Sequence, residues 1–198
     1  MSQHSFSEIV KKVGPYTMQD VEESCFGDSD DAVFDDILDK RGETSICQWI
    51  NDAMIGWDDG LQTYYIQGPI TRIHEDAEDV GGSDMPTWWF GRRGREIHNP
   101  LMMQAILSLV FDKPIELNDD IVRTLLEERE HGINNIYEDN QSEKQRVMSL
   151  FKEADRQWAT LSSKDIRDEY IDGAYVEVAC NLIPGTRLVK PSSDTADS

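Results

Sequence analysis

The sequence has few positively charged residues and no apolar run long enough to cross a membrane. Its 19 lysines and arginines face 39 aspartates and glutamates, which leaves a formal net charge of −20 over 198 residues. Such a charge keeps a protein dispersed, but it repels nucleic acids and anionic membranes. We therefore expect no direct nucleic-acid partner and no membrane partner, and we favour a basic protein surface as the partner. The composition does not indicate an oligomeric state.

Cysteine is scarce as well. Cys25, Cys47 and Cys180 are odd in number and far apart in the sequence. A disulfide framework needs paired cysteines, and zinc sites need closely spaced ones. We therefore expect no disulfide framework, inert thiols in apolar surroundings at Cys25 and Cys47, and a reducing compartment. Because residues 1–12 lack the apolar segment of a signal peptide, the expected location is the cytoplasm.

The local motifs of common catalytic and metal sites are missing. The sequence contains no G-x-S-x-G, no phosphate-binding glycine loop and no H-E-x-x-H. His74 opens an acidic run without a second histidine at ligand spacing, and the acids at 28–39 lack the central glycine of a calcium loop. We expect no metal and no cofactor, and we favour a non-enzymatic function. A catalytic triad assembled only by the fold is not excluded by spacing.

Hydrophobic patterning predicts an α+β fold, namely a mainly helical single domain around a small antiparallel sheet. The strand-like segments are aromatic runs at 61–67 and 86–90, a pairing segment at 71–74, and a further strand at 174–183. The sequence on both sides of the central stretch has helical periodicity. The predicted helices are 5–13, 17–26, 28–42, 45–54, 99–113, 118–132 and 142–158.

Polar and low-complexity segments predict the domain organisation. Residues 1–189 are expected to form one globular domain, because a chain of this size can bury a large core. The polar interval at 133–141 is the predicted sub-lobe boundary. Composition predicts a disordered tail at 190–198.

Negative charge is concentrated near the N-terminus. Residues 19–60 hold thirteen acids and two bases, and residues 114–141 add a further net charge of −6. A dense acidic face could occlude a basic surface of a partner, including one that normally binds nucleic acid, or it could only solvate the protein. We predict a non-enzymatic inhibitor or immunity-type protein with partner-binding residues at Asp28, Asp30, Asp31, Asp35, Asp36 and Asp39.

A second hypothesis concerns the segment TWWFGRRGRE, which joins tryptophans to arginines. Aromatic rings stack on bases and arginines bind phosphates, so this segment could bind an anionic small molecule, either in a ligand-binding domain or in an enzyme. The competing interpretation places one tryptophan in the core and pairs the arginines with the surplus acids. The ligand-binding residues of this hypothesis are Trp88, Trp89, Arg92, Arg93 and Arg95, with His74 and His98 nearby.

Overall fold

A computed structural model describes residues 2–27, 37–40, 42–71, 85–86, 88–92 and 94–159, with backbone alone at 71, 85 and 157–159. Within these residues, helices pack around short antiparallel sheets, which confirms the predicted α+β class. No helix in this part of the chain combines the length and the apolar character needed to span a membrane. The helices are α1 (Phe6–Ile9), α2 (Met18–Phe26), α3 (Ile46–Asp52), α4 (Pro100–Val110), α5 (Asp119–Ile136) and α6 (Gln141–Ala159).

The described strands are short, and every pair is antiparallel. One sheet has four strands in the order β1-β4-β5-β8, a second has three in the order β3-β2-β9, and β6 pairs with β7. The strands are β1 (His4–Ser5), β2 (Val10–Val13), β3 (Tyr16–Thr17), β4 (Met54–Asp58), β5 (Thr63–Gln67), β6 (Ile70–Thr71), β7 (Met85–Pro86), β8 (Trp89–Phe90) and β9 (Ile115–Leu117).

The β4–β5 hairpin forms the centre of the larger sheet. Trp57 lies opposite Tyr64 in its register, and their rings meet edge to face at 5.0 Å. Phe151 of α6 contacts Trp57 from the other side at 5.9 Å. Strands at 61–67 and 86–90 were predicted, and β5 and β8 lie there. Of the other predicted strands, only residue 71 is described, in β6, whereas 174–183 lies outside the described residues.

The predicted helix at 5–13 is wrong beyond Ile9. Residues Val10–Val13 form a strand instead, which turns back through Gly14 and Pro15 to pair Val13 with Tyr16. Gly14 has φ +60°, the left-handed conformation that glycine adopts freely and that tight hairpin turns require. The β-branched side chains of Val10 and Val13 suit the strand and are buried there.

The helix predicted at 45–54 is shorter in the structure. The predicted capping box of Ser45 and Gln48 opens α3, but Met54 already belongs to β4. Gly56 therefore lies in a strand and does not end the helix. A side chain at Gly56 would collide with the carbonyl oxygen of Ser2, so the close approach of these two backbones explains the glycine.

Helix α5 is longer than predicted. It continues through Gly132 to Ile136, so residues 133–136 of the predicted boundary are helical. Gly132 is buried against Asp59 and Trp57, and it allows close packing rather than ending the helix. By contrast, α4 begins as predicted, with Asn99 as its cap and Pro100 at its first position.

Candidate protein-binding surface

Most of the predicted partner-binding acids lie outside the described residues, namely Asp28, Asp30, Asp31, Asp35 and Asp36. The predicted helix at 28–42 is wrong where it can be seen, because residues 37–40 are not helical. Leu38 instead forms an isolated antiparallel bridge with Ser45. Residues 37–40 therefore do not form the acidic helical face that the sequence predicts.

Asp39 is buried, with 3% of its surface exposed, and this corrects its prediction as a surface contact. Its carboxylate accepts hydrogen bonds from the backbone N–H groups of Glu43 and Thr44 and from the Thr44 hydroxyl. Trp88 donates its indole N–H to the same carboxylate at 3.1 Å. A buried carboxylate is costly unless it is hydrogen-bonded, and these donors supply that compensation. Asp39 thus organises the 39–44 turn.

The Trp/Arg segment is divided between interior and surface. Trp88 is half-buried, stacks on Phe90 at 5.7 Å and is bound to Asp39, so its indole N–H is already used. Trp89 is 40% exposed, and the guanidinium of Arg92 lies 4.7 Å from the centre of its ring. These two residues form an exposed cation–π pair.

Arg95, another member of that hypothesis, does not join this pair. Arg95 donates two hydrogen bonds to the side-chain oxygen of Gln62 at 2.8 and 2.6 Å. Gln62 in turn donates to the hydroxyl of Tyr137 at 2.7 Å, so Arg95 fastens the β4–β5 turn to the end of α5. Arg93 and His74 lie outside the described residues.

His98 is buried and has no exposed face from which to bind a ligand. Its Nδ1 has no hydrogen-bond partner in the described part of the chain. Burial lowers the pKa of His98 to about 4, since the charged imidazolium loses its hydration; Asp155 opposes this effect and Arg129 reinforces it. His98 is therefore neutral at physiological pH. In the described segments, no group of three or more histidine, cysteine or acidic side chains could hold a metal ion.

The outer side of α5 is an acidic surface that the structure describes. Asp119, Asp120, Glu127 and Glu130 are all exposed, and the first two have side-chain exposures of 90% and 84%. Asp120 and Glu127 are seven residues apart, so they lie on one side of the helix, separated by about 10 Å. The sequence indicates the net charge of residues 114–141 but not the surface on which it lies.

Lysines and arginines neutralise little of this outer side. Arg123 is 3.3 Å from Asp120, and Lys11 is 3.9 Å from Asp119, but all four groups are largely solvated. Exposed pairs of this kind contribute little and are screened by salt. Glu127 and Glu130 are exposed. Neither belongs to an ion pair found among the described residues.

Several other cations are held in ion pairs elsewhere on the molecule. Lys11 and Lys12 both contact Glu116, and the hydrogen bond from Lys11 lowers the pKa of this carboxyl. Arg146 and Arg156 each bind a glutamate three residues earlier in α6, namely Glu143 and Glu153. These pairs take up cations that could otherwise offset the acids of α5.

The inner side of α5 is anchored by buried polar contacts. Arg129 forms a two-pronged ion pair with Asp155 of α6, at 3.0 and 2.8 Å, and donates to the carbonyl oxygen of His98 at 2.8 Å. The hydroxyl of Tyr64 donates to the carbonyl oxygen of Leu125 at 2.8 Å. His4 contacts Glu128 at 3.0 Å and ties β1 to the same helix. The acidic side of α5 is thus presented on a fixed support.

A groove of about 710 Å³ lies beside β1 and the end of α3. Its lining joins carboxylate and carboxamide groups to the apolar side chains of Ala53, Met54 and Ile70. Such a lining can accept a side chain with an apolar stem and a polar head. The polar residues that line it are Gln3, His4, Ser5, Asn51 and Asp52.

Cys25 and Cys47 form a disulfide, with a sulfur–sulfur distance of 2.04 Å and a Cα–Cα distance of 5.5 Å. This pairing corrects the expectation of two inert thiols without a disulfide. It also removes the argument from cysteine usage for a reducing compartment, because disulfides persist mainly under oxidising conditions. The sequence signal was ambiguous, because 22 positions separate the two residues and the third cysteine gave an odd count.

Comparison with known proteins gave no match, whether to a protein-family model, a curated protein or a solved structure.

Proposed function

We propose that this protein is a non-enzymatic binding protein that covers a basic surface of a partner protein, as inhibitors and immunity-type proteins do. The observation that supports the proposal is the solvated acidic side of α5 on a rigid support. Long-range attraction to a basic surface would speed association and help select the partner. The proposal keeps the acids at 28–36 as further partner contacts, and it keeps the cytoplasm as the location of the protein.

Charge density indicates the kind of partner. The four acids from Asp119 to Glu130 span about 16 Å of helix, or roughly one acid per 4 Å. Duplex DNA carries about one charge per 1.7 Å of its axis. The α5 face alone supplies less than half of that density. Imitation of a duplex would therefore require further acids, whereas a basic patch on a protein requires no such spacing.

The decisive experiment is affinity capture from nuclease-treated host lysate, with elution by a salt gradient. The wild type is compared with E127K/E130K and with E43K/D52K, which changes net charge equally at exposed positions outside α5. We expect the wild type to capture a basic protein in stoichiometric amount and to release it at moderate salt. The α5 variant should not retain this protein, whereas the control variant should. Equal retention by all three proteins, or no stoichiometric partner, would contradict the proposal. A separate reversal of Asp30, Asp31 and Asp35 tests the N-terminal acids.

A second candidate function, binding of an anionic small molecule, has one specific observation in its favour. Trp89 and Arg92 expose a ring and a guanidinium together, the combination that stacks on a base and holds a phosphate. Inorganic phosphate and nucleoside monophosphates should then raise the melting temperature. The variant R92A should lose this shift, whereas R123A, with its arginine exposed on α5, should retain it. An unchanged melting temperature in the wild type would end this hypothesis.

A further inference from the structure

The disulfide joins two helices that are held to the core very differently. Cys25 lies near the end of α2, and Cys47 lies in the first turn of α3. Both residues are half-buried. This location is independent of the acidic surface of α5.

On the α3 side, the sulfur is attached to a rigid element. Ile46 and Trp49, next to Cys47, are completely buried. Trp49 packs edge to face against Phe6 at 5.7 Å and Phe111 at 5.2 Å, and its indole N–H donates to Thr44. These contacts do not involve the disulfide, so α3 should keep its position when the bond is broken.

On the α2 side, the sulfur is attached to the weaker half of a helix. The first half has a capping box formed by Thr17 and Asp20 and buries Met18 and Val21. In the second half no residue is fully buried, Cys25 packs against the core in part, and Phe26 at the end is 55% exposed. A helix stretch with little buried apolar surface opens easily unless something else holds it.

We infer that Cys25–Cys47 is a thiol–disulfide exchange site through which a dithiol reductant releases the second half of α2 from α3. A thiolate of the reductant attacks one sulfur, forms a mixed disulfide and displaces the other sulfur as a thiolate, which takes up a proton. The second thiol of the reductant then displaces the remaining protein sulfur. Two electrons pass to the protein, which gains two thiols, and the reductant leaves as a disulfide.

The consequence is a redox-dependent change in one part of the surface. Glu22 and Glu23 belong to the released half of α2 and would move away from the fixed core with it. The core around Trp49 and the anchoring of α5 would persist. This inference does not depend on the proposed function, because it concerns the order of α2 and not a partner.

Hydrogen exchange of the full chain tests the inference. The protein carries C180S to prevent exchange with the third cysteine, and alkylation followed by mass measurement establishes whether the bond forms. We expect amides at 22–27 to exchange at least tenfold faster after treatment with dithiothreitol, while α4 and α5 keep their protection. The variant C25S/C47S/C180S should behave like the reduced protein without any reductant.

Three results would overturn the inference: free thiols at both positions after air oxidation, equal exchange at 22–27 in the two states, or loss of protection in α4 and α5 on reduction. The last result would show that the bond supports the whole fold rather than one helix end. None of these measurements involves a partner. Failure here therefore leaves the proposed function to its own experiment.

Discussion

Arg129 and Asp155 join α5 to α6 through a two-pronged ion pair in the interior of the protein. The side chain of Arg129 is 6% exposed and that of Asp155 is 29% exposed. Water can therefore compensate the charge of Asp155 better than that of Arg129, which relies on the ion pair. Arg129 also lies over the ring of Phe151 at 5.1 Å. Asn99, the cap of α4, donates to Asp155 at 2.7 Å. One ion pair thus fixes three helices.

Removing Asp155 should destabilise the protein more than removing Arg129. The variant D155A leaves a guanidinium buried without its partner, and breaking a buried pair in this way costs about 3–5 kcal/mol. The variant R129M leaves a carboxylate that water can partly reach, so its loss should be smaller. The double variant should lose less than the sum of the two, because no unpaired charge remains. Urea unfolding of the three variants measures these differences, and additive losses would refute the coupling.

Protonation of His98 should make the protein lose stability in mild acid. Its folded-state pKa of about 4 lies below the ordinary value of 6.5, so the unfolded chain takes up this proton first as the pH falls. The stability contributed by the neutral imidazole is complete above pH 6.5 and declines as the pH falls toward 4. A shift of this size corresponds to about 3 kcal/mol.

Urea unfolding between pH 7.5 and pH 4.5 measures this loss. The variant H98Q cannot titrate at this position, so its free energy of unfolding should fall less steeply over the same range. Carboxyls whose pKa is lowered, such as Glu8 and Glu116, begin to lose their stabilising effect near their ordinary pKa of 4.5 in both proteins, so the difference between the two curves reports on His98. Parallel curves for the two proteins would show that His98 does not cause the loss.

Local sequence signals predicted part of the fold because they act over one helical turn. Asn99 and Pro100 mark the beginning of α4, and Ser45 with Gln48 marks that of α3. Such caps satisfy backbone groups within a few residues, so no distant contact decides them. The aromatic alternation at 61–67 likewise predicted β5.

Other features depended on contacts between distant parts of the chain. Val10 and Val13 fit a helical pattern with Phe6 and Ile9, but pairing with β9 places them in a strand. Asp39 resembles its acidic neighbours in sequence, yet the donors of Thr44 and Trp88 draw it into the interior. The partner-binding role of Asp39 was predicted wrongly for the same reason, because the sequence does not show which acids the folded chain exposes.

Gly132 should not tolerate alanine, although alanine usually stabilises a helix. Replacing glycine within a helix normally gains about 1 kcal/mol. At this position a Cβ would come within 2.7 Å of the Trp57 indole nitrogen and closer still to Asp59, and it would disrupt the hydrogen bond between them. Overpacking of this kind costs about 1–3 kcal/mol, so G132A should unfold at lower urea concentration.

The matched control for G132A is N134A, at an exposed position of the same helix. Alanine there should be neutral or stabilise by a few tenths of a kcal/mol, because alanine favours the helix more than asparagine does and the side chain is exposed. If G132A is also neutral or stabilising, α5 does not pack on the β4–β5 hairpin as closely as described.

Replacement of Asp39 should affect folding directly, rather than partner binding alone. The variant D39A removes the acceptor of the Glu43, Thr44 and Trp88 donors. Of these residues Thr44 is buried, and a buried donor left without an acceptor costs about 1–3 kcal/mol. D39N keeps an oxygen of similar shape and should lose less. E43A removes an exposed acid from the same turn and should change stability by about 0.5 kcal/mol or less.

Tryptophan fluorescence during urea unfolding follows the Asp39 variants directly, since Trp88 contacts the altered group. We expect the free energy of unfolding to fall most for D39A, less for D39N and least for E43A. If D39A matches E43A, the carboxylate does not organise the turn, and Asp39 becomes a surface acid of the kind that the sequence first indicated. The ranking therefore decides between a folding role and a binding role for this residue.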